Sequence, residues 1–287
     1  MSEILVELGK LTQAAQEQTS ASNTLAQEVS GKMAEIDQKV DAATTVVRDT
    51  IRDYNFEIFY VNSETGDNNN DGRHSSRAWR DVSPLVNLMV HGKSYKVNIG
   101  TGQVVEMPVS LHHSFGRIQF FSDYSNRATL KMKAINQNGI GDGTVDFNGE
   151  NLLLSFFGVN LETATQPENN TGKSTQYGSS ALSRPHSGSN FNIELYCAKI
   201  IVKDFPLIRT GHQNAGFVAL SLGYSGGIVI GEGNETHLTY SNDHFGLCNG
   251  ASSSIDNKNG ANTWNAIMSG VGGNNNVIAD FDFEAQT

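Results

Sequence analysis

The chain has 287 residues, 38% of them hydrophobic, and a formal net charge of −10. That length can bury a sizeable core without a disulfide or metal staple, and the acidic balance argues against nucleic acid and anionic lipid as partners. No apolar run reaches the ~20 residues that span a bilayer, Glu3 and Glu7 are unlike the start of a secretory signal, and synthesis in the cytoplasm without membrane insertion is expected.

Up to Tyr54 there is no proline, and glycine occurs only at Gly9 and Gly31. Apolar or small residues recur in steps of four and three: Ile4, Leu8, Leu11 and Ala15, then polar Gln18 and Ser22, then Leu25 and Val29. A further step of four reaches Met33, and Ile36, Val40, Ala43 and Val47 resume the alternation. This spacing predicts one long helix over 1–54, with a stutter that locally unwinds a coiled coil. Its stripe is narrow, about two positions in seven, as in a seam between helices. Ile4, Leu8, Leu11, Leu25, Val29, Met33, Ile36, Val40 and Val47 are therefore the expected oligomerisation residues. The alternative is a helix lying along its own domain.

After Phe56 the period changes. "RIQFFS", "ATLKMKA", "NLLLSFFGVNL", "FNIELYCAKIIV", "GFVALSL" and "GGIVIGEG" are short, rich in β-branched and aromatic residues, and bounded by turn formers. The 29 glycines, against 5 prolines, fit many tight turns. Between the strands, "DVSPLVNLMVHG" alone reads as helical, with Ser83 as cap and Pro84 as first residue. Leu154, Phe156, Val159 and Leu161 share a rhythm with Leu195, Cys197, Ile200 and Val202, and with Leu220, Leu222, Ile228 and Ile230. The starts lie 41 and 25 residues apart, a loose repeat of the kind stacked solenoid coils produce. A β-sandwich, with strands every 8 to 12 residues, is the alternative. Cys197 and Cys248 lack metal-ligand spacing and read as free thiols, with a bridge between them as the alternative.

Between Tyr60 and Val86 lies an Asp/Asn-rich loop. Asp67, Asn69, Asp71 and Gly72 match the first half of a calcium loop, but the bidentate Glu of an EF-hand falls at Ala78. Calcium through Asp67, Asn69 and Asp71 is one reading of the loop, and a plain turn the other. Tyr60, Val61, Gly66, Asp67, Gly72, Trp79 and Leu85, followed by "SYKVNIGTGQVVEMPVSLHHSFGRIQFFSDYSNRATLKMK", resemble the start of right-handed β-helix domains in bacteriophage tailspikes and tail fibres. The resemblance covers roughly Tyr60 to Leu161. Gln103 and Val104 depart from it where an aromatic is usual, and the segment after Trp79 lacks the usual Pro-Phe-Lys-Thr.

The resemblance implies a mainly β protein, a homotrimer with an N-terminal coiled coil (1–54), a lead-in strand, loop and capping segment (55–92), and a right-handed parallel β-helix (93–287). It implies residence in the virion as a tail fibre, docked to a tail or baseplate protein through about residues 1–22. The expected target is a host cell-surface polysaccharide or outer-membrane receptor. Enzymatic cleavage of capsule or O-antigen is the second reading, and a trimeric bacterial adhesin the third. Glycoside hydrolysis needs paired carboxylates. Asp142 with Asp146, Asp146 with Glu150, and Glu232 with Glu235 are candidates by spacing, though acidic residues at loop edges are ordinarily solvated. Adjacent His112 and His113 are expected on opposite faces of a strand. The polar stretch Glu162 to Asn190, with Tyr177 and Arg184, and the C-terminal Tyr240, Phe245 and Trp264 offer aromatic and polar groups for a receptor. A core role for Trp264 is the competing reading.

Overall fold

The structure, a computed structural model, describes residues 2–136, 142–168, 172, 180–183, 190–209, 217–240, 244–249, 252–269 and 277–279. The chain divides into two compact units, Met1–Tyr54 and Asn55–Thr287.

A single helix runs Ser2–Asn55. Glu3 sits in its first turn, where a carboxylate complements the helix dipole. Glu35 accepts from Lys39 at 2.7 Å and Lys32 at 2.9 Å, and these two contacts hold its carboxyl below the ordinary range. Every side chain described on this helix is exposed, the apolar stripe included.

From Glu57 the chain winds through three parallel sheets in rotation. The first has eight strands: Glu57–Val61, Ser94–Ile99, Arg117–Phe121, Leu152–Phe157, Asn190–Tyr196, Phe217–Leu222, His244–Asn249 and Val277–Ala279. The second has six: Val104–Met107, Ala128–Met132, Val159–Glu162, Lys199–Val202, Gly227–Ile230 and Ser254–Asn257. The third is made of two-residue strands at Leu111–His112, Phe147–Asn148, Leu182–Ser183, Ile208–Arg209, Thr239–Tyr240 and Met268–Ser269. Because six successive coils each give one strand to each sheet, with Glu57–Val61 before them and Val277–Ala279 after, strand order follows chain order, a β-helix-like arrangement. Antiparallel pairing, on which a sandwich is built, occurs among the described residues only between Ala134–Asn136 and Asp142–Thr144.

Inward positions stack from coil to coil. In the first sheet Phe59, Val97, Phe120, Phe156, Leu195 and Leu222 are register partners in turn, all nearly inaccessible. Phe120 and Phe156 stack at 5.3 Å, with Phe147 of the third sheet edge-on to both. The short third-sheet strands contribute Leu111, Phe147, Leu182, Ile208, Thr239 and Met268 to the same interior. Parallel strands buried this way gain about 1.5–3 kcal/mol per large side chain.

Two segments that read as single strands are each two. "NLLLSFFGVNL" turns a corner between the first and second sheets at Gly158, whose φ of +65° suits glycine. "FNIELYCAKIIV" turns at Cys197, φ +48°, so Cys197 is a corner residue and not an inward strand position. The expected repeat alignment also slips by two residues: Leu154 pairs with Ile193, not Leu195, and Leu222 pairs with Leu195. A two-residue slip keeps the inward face inward, and periodicity does not register it. Leu182, inside the stretch read as a polar insertion from 162 to 190, is a buried strand position of the third sheet.

The loop after the first strand folds back over it. Trp79 bridges to Val61, stacks on Phe59 at 4.5 Å and donates Nε1–H to the Asn70 carbonyl at 3.0 Å. A side chain at Gly72 would strike the Trp79 ring at 2.3 Å, and its φ is +67°. The loop thus shields an outermost strand that would otherwise expose unpaired backbone groups. The segment after it is a short 3-10 helix, Ser83–Asn87, with Val82 at the N-cap position and no side-chain cap bond. Ser83 is inside its first turn, and its N–H and hydroxyl both donate to Asp81.

Candidate functional site

One feature of the expected sites concerns association. On the helix, Ile4, Leu8, Leu11, Leu25, Val29, Met33, Ile36 and Val40 are between 49% and 73% exposed. Val47 is on the helix, with its side chain outside the described set. Among the described residues no contact within the helical unit covers this stripe.

The expected receptor residues are dispersed. Tyr177 and Arg184 lie outside the described residues. Tyr240 pairs with Ser269 and Arg209 in the third sheet and Phe245 with Val218 and Val277 in the first, on backbone register alone. Trp264 is fully buried in the hydrophobic core, beside Thr263, which caps its short helix. Its ring fills the interior, so Trp264 is a core residue, the competing reading of its sequence, and presents no face to a receptor.

In the Asp/Asn loop, Asp67 Oδ1 accepts from the Asn69 backbone and amide, both at 2.9 Å, and Asp71 accepts from the Arg73 N–H and the Arg77 guanidinium. These side chains shape a turn. Among the described residues no three His, Cys, Asp or Glu side chains converge as metal ligands.

Of the carboxylate candidates, Glu232 accepts from Lys203 at 2.8 Å and Lys258 at 2.9 Å, and these bonds hold its carboxyl down at about 2. A carboxylate so held stays ionised and has no proton to give as a general acid. Glu235 is buried and accepts from the Thr236 and His237 backbone. Asp142 and Asp146 are likewise buried, Asp142 accepting from Gln166 at 3.3 Å. His112 is exposed and His113 buried, with His113 Nε2 2.7 Å from the Lys93 carbonyl. Burial lowers the His113 pKa.

Sequence reasoning missed a cluster on the outer face of the first sheet. Phe121, Phe157 and Tyr196 are register partners on three adjacent strands, each facing away from the core. Phe157 and Tyr196 stack at 5.7 Å and 28°. Tyr124 stands edge-on to Phe121 and Tyr196, at 75° and 66°, and Tyr224 leans on Tyr196 at 37°. Lys96 Nζ lies 4.3 Å from the Phe121 ring centre. Inboard, Arg117 donates to Ser155 and Glu194, at 3.0 Å each. The available signal was the repeated outward aromatic next to the corner in "RIQFF", "LLLSFF" and "FNIELY", which needs the true register to be seen.

No protein-family model matches the chain, and no curated protein matches it.

Proposed function

We propose that this chain is the subunit of a homotrimeric bacteriophage tail fibre, joined to the tail through its helix and taking part in recognition of the host surface through its β unit. The observation that carries this reading is the exposed seam at coiled-coil spacing. Eight apolar side chains at about half to three-quarters exposure on one helix are stable in water only when other helices cover them. The loop of Tyr60, Gly72 and Trp79, whose spacing resembles tailspike β-helix domains, supports the family. The solenoid is expected to wind right-handed, as about 98% of parallel crossover connections do. Imaging virions with an antibody against the β unit tests it. Label at the distal tail supports the reading, and particles without label reject it.

A further inference from the structure

We propose that His91 and His113 form an acid-sensitive latch, which holds segment 88–93 on the first coil of the β unit and releases it when the two rings take up protons. The inference goes beyond the fibre reading and stands whether or not that reading holds.

Segment 88–93 joins the 3-10 helix Ser83–Asn87 to the strand Ser94–Ile99. Met89 packs on the core, but Leu88 is 41% and Val90 54% exposed, so apolar burial does little to hold it. Polar contacts to the corner at 113–116, where the third sheet gives way to the first, fasten it instead. The Gly92 N–H donates to the Ser114 carbonyl at 2.9 Å, and the Ser114 N–H donates back to His91 Nδ1 at 3.1 Å. His113 Nε2 lies 2.7 Å from the Lys93 carbonyl, and the Tyr95 hydroxyl accepts from the Val90 N–H at 2.6 Å. A side chain at Gly116 would strike both His113 Nε2 and the Lys93 carbonyl, at 2.2 Å each, so the glycine leaves room for that bond.

The partners fix the protons. A carbonyl only accepts, so His113 carries its hydrogen on Nε2, and its Nδ1 is a buried lone pair with no partner. A backbone N–H only donates, so His91 Nδ1 is unprotonated. Both bonds therefore belong to neutral rings. A proton added to His91 lands on Nδ1 and removes the acceptor of the Ser114 N–H. One added to His113 places a charged donor in a buried site that offers it no acceptor. The rings stack at 6.2 Å and 17°, so a charge on one opposes a charge on the other.

The surroundings do not offset this. Tyr95 stands edge-on to His113 at 5.3 Å, and the Lys93 ammonium is held by Glu57 at 3.0 Å. Glu150, next to the adjoining strand Phe147–Asn148, meets the corner with its backbone, its N–H on Ser114 Oγ and its carbonyl on the Phe115 N–H. Burial lowers the His113 pKa, outweighing the Lys93 carbonyl, which favours the charged form, and His91 lowers it further. A freed His113 protonates near the ordinary 6.5 and a latched one only below it. Closure is thus fully present above pH 6.5 and lost as pH falls below that value.

The test is amide hydrogen exchange of the full chain at pH 7.5 and pH 5.0, followed by mass spectrometry and corrected for the intrinsic pH dependence of exchange. The expected result is at least tenfold faster exchange over 88–93 and at Ser114 at pH 5.0, with Leu152–Phe157 unchanged. In His91→Asn the amide oxygen stands in for Nδ1, and in His113→Gln the amide nitrogen stands in for Nε2, and neither titrates. The double variant should keep its protection at pH 7.5 and change less than twofold at pH 5.0. Equal protection of the unaltered chain at both pH values overturns the proposal, as does acceleration that persists in the double variant. Should His113→Gln already lose protection at pH 7.5, His91→Asn alone decides. It should cut the acceleration at least threefold, and an uncut acceleration overturns the latch.

Discussion

Leu25 on the helix is 61% exposed, whereas Leu154 in the first sheet is fully buried. The same residue type meets two solutions to one problem. In the solenoid each coil covers the apolar face of the coil before it, and the loop around Trp79 covers the first, so one chain completes the job. On the helix the stripe is too narrow to build a core of its own, and on the reading proposed above other helices cover it. The difference teaches that association and β folding should separate under mutation.

The sharpest way to break that separation is Leu25→Asp with Ile36→Asp. Each places a charge in the seam without a partner, at a cost of several kcal/mol per assembly. The far-UV helical signal should fall with dissociation, because helices without tertiary packing are marginal, while the β unit melts as before. Loss of the β transition in the same variant would show the two units to be interdependent.

The reverse experiment is Phe156→Ala. Phe156 is fully buried and stacked on Phe120, and truncation costs about 3–5 kcal/mol. Differential scanning calorimetry should show a lowered β transition with the oligomer mass unchanged.

A smaller loss is expected at the corner. Gly158→Ala puts a methyl group within 2.5 Å of the Ser122 carbonyl at a φ of +65°, costing about 1–3 kcal/mol. Urea unfolding should give a lower midpoint at an unchanged slope.

The smallest effects are those of pH, and two of them fall on the β unit. An unfolded chain protonates Glu232 near 4.5 and the folded one only near about 2, so its contribution is present above pH 4.5 and lost as pH falls between those values. His113 acts earlier. Burial makes its folded ring harder to protonate than the ordinary 6.5, so stability begins to fall as pH drops below 6.5. Glu232→Gln should flatten the Tm profile between pH 4.5 and 2 by the equivalent of about 1 kcal/mol or less, because the carboxylate is a third exposed and solvent screens it. An unchanged profile would remove Glu232 from the account.

Much of this architecture was legible in the residues. The helix declared itself through 54 positions without proline and a stripe at steps of three and four, and the first-sheet strands through their alternation. What stayed hidden has physical reasons. A two-residue strand such as Leu182–Ser183 has no period to read. The corners at Gly158 and Cys197 interrupt apolar runs without polar punctuation. Trp264 sits among Asn, Ser and Gly, so its sequence neighbours look like surface while its contacts are core. The Phe121, Phe157 and Tyr196 row joins residues 36 and 39 positions apart, and only register brings them together.

Sedimentation equilibrium of the unaltered full chain at micromolar concentration tests the central claim most directly. A covered helical seam predicts a mass of three times the 31.1 kDa chain. A mass of one chain, with the helical signal intact, would contradict it.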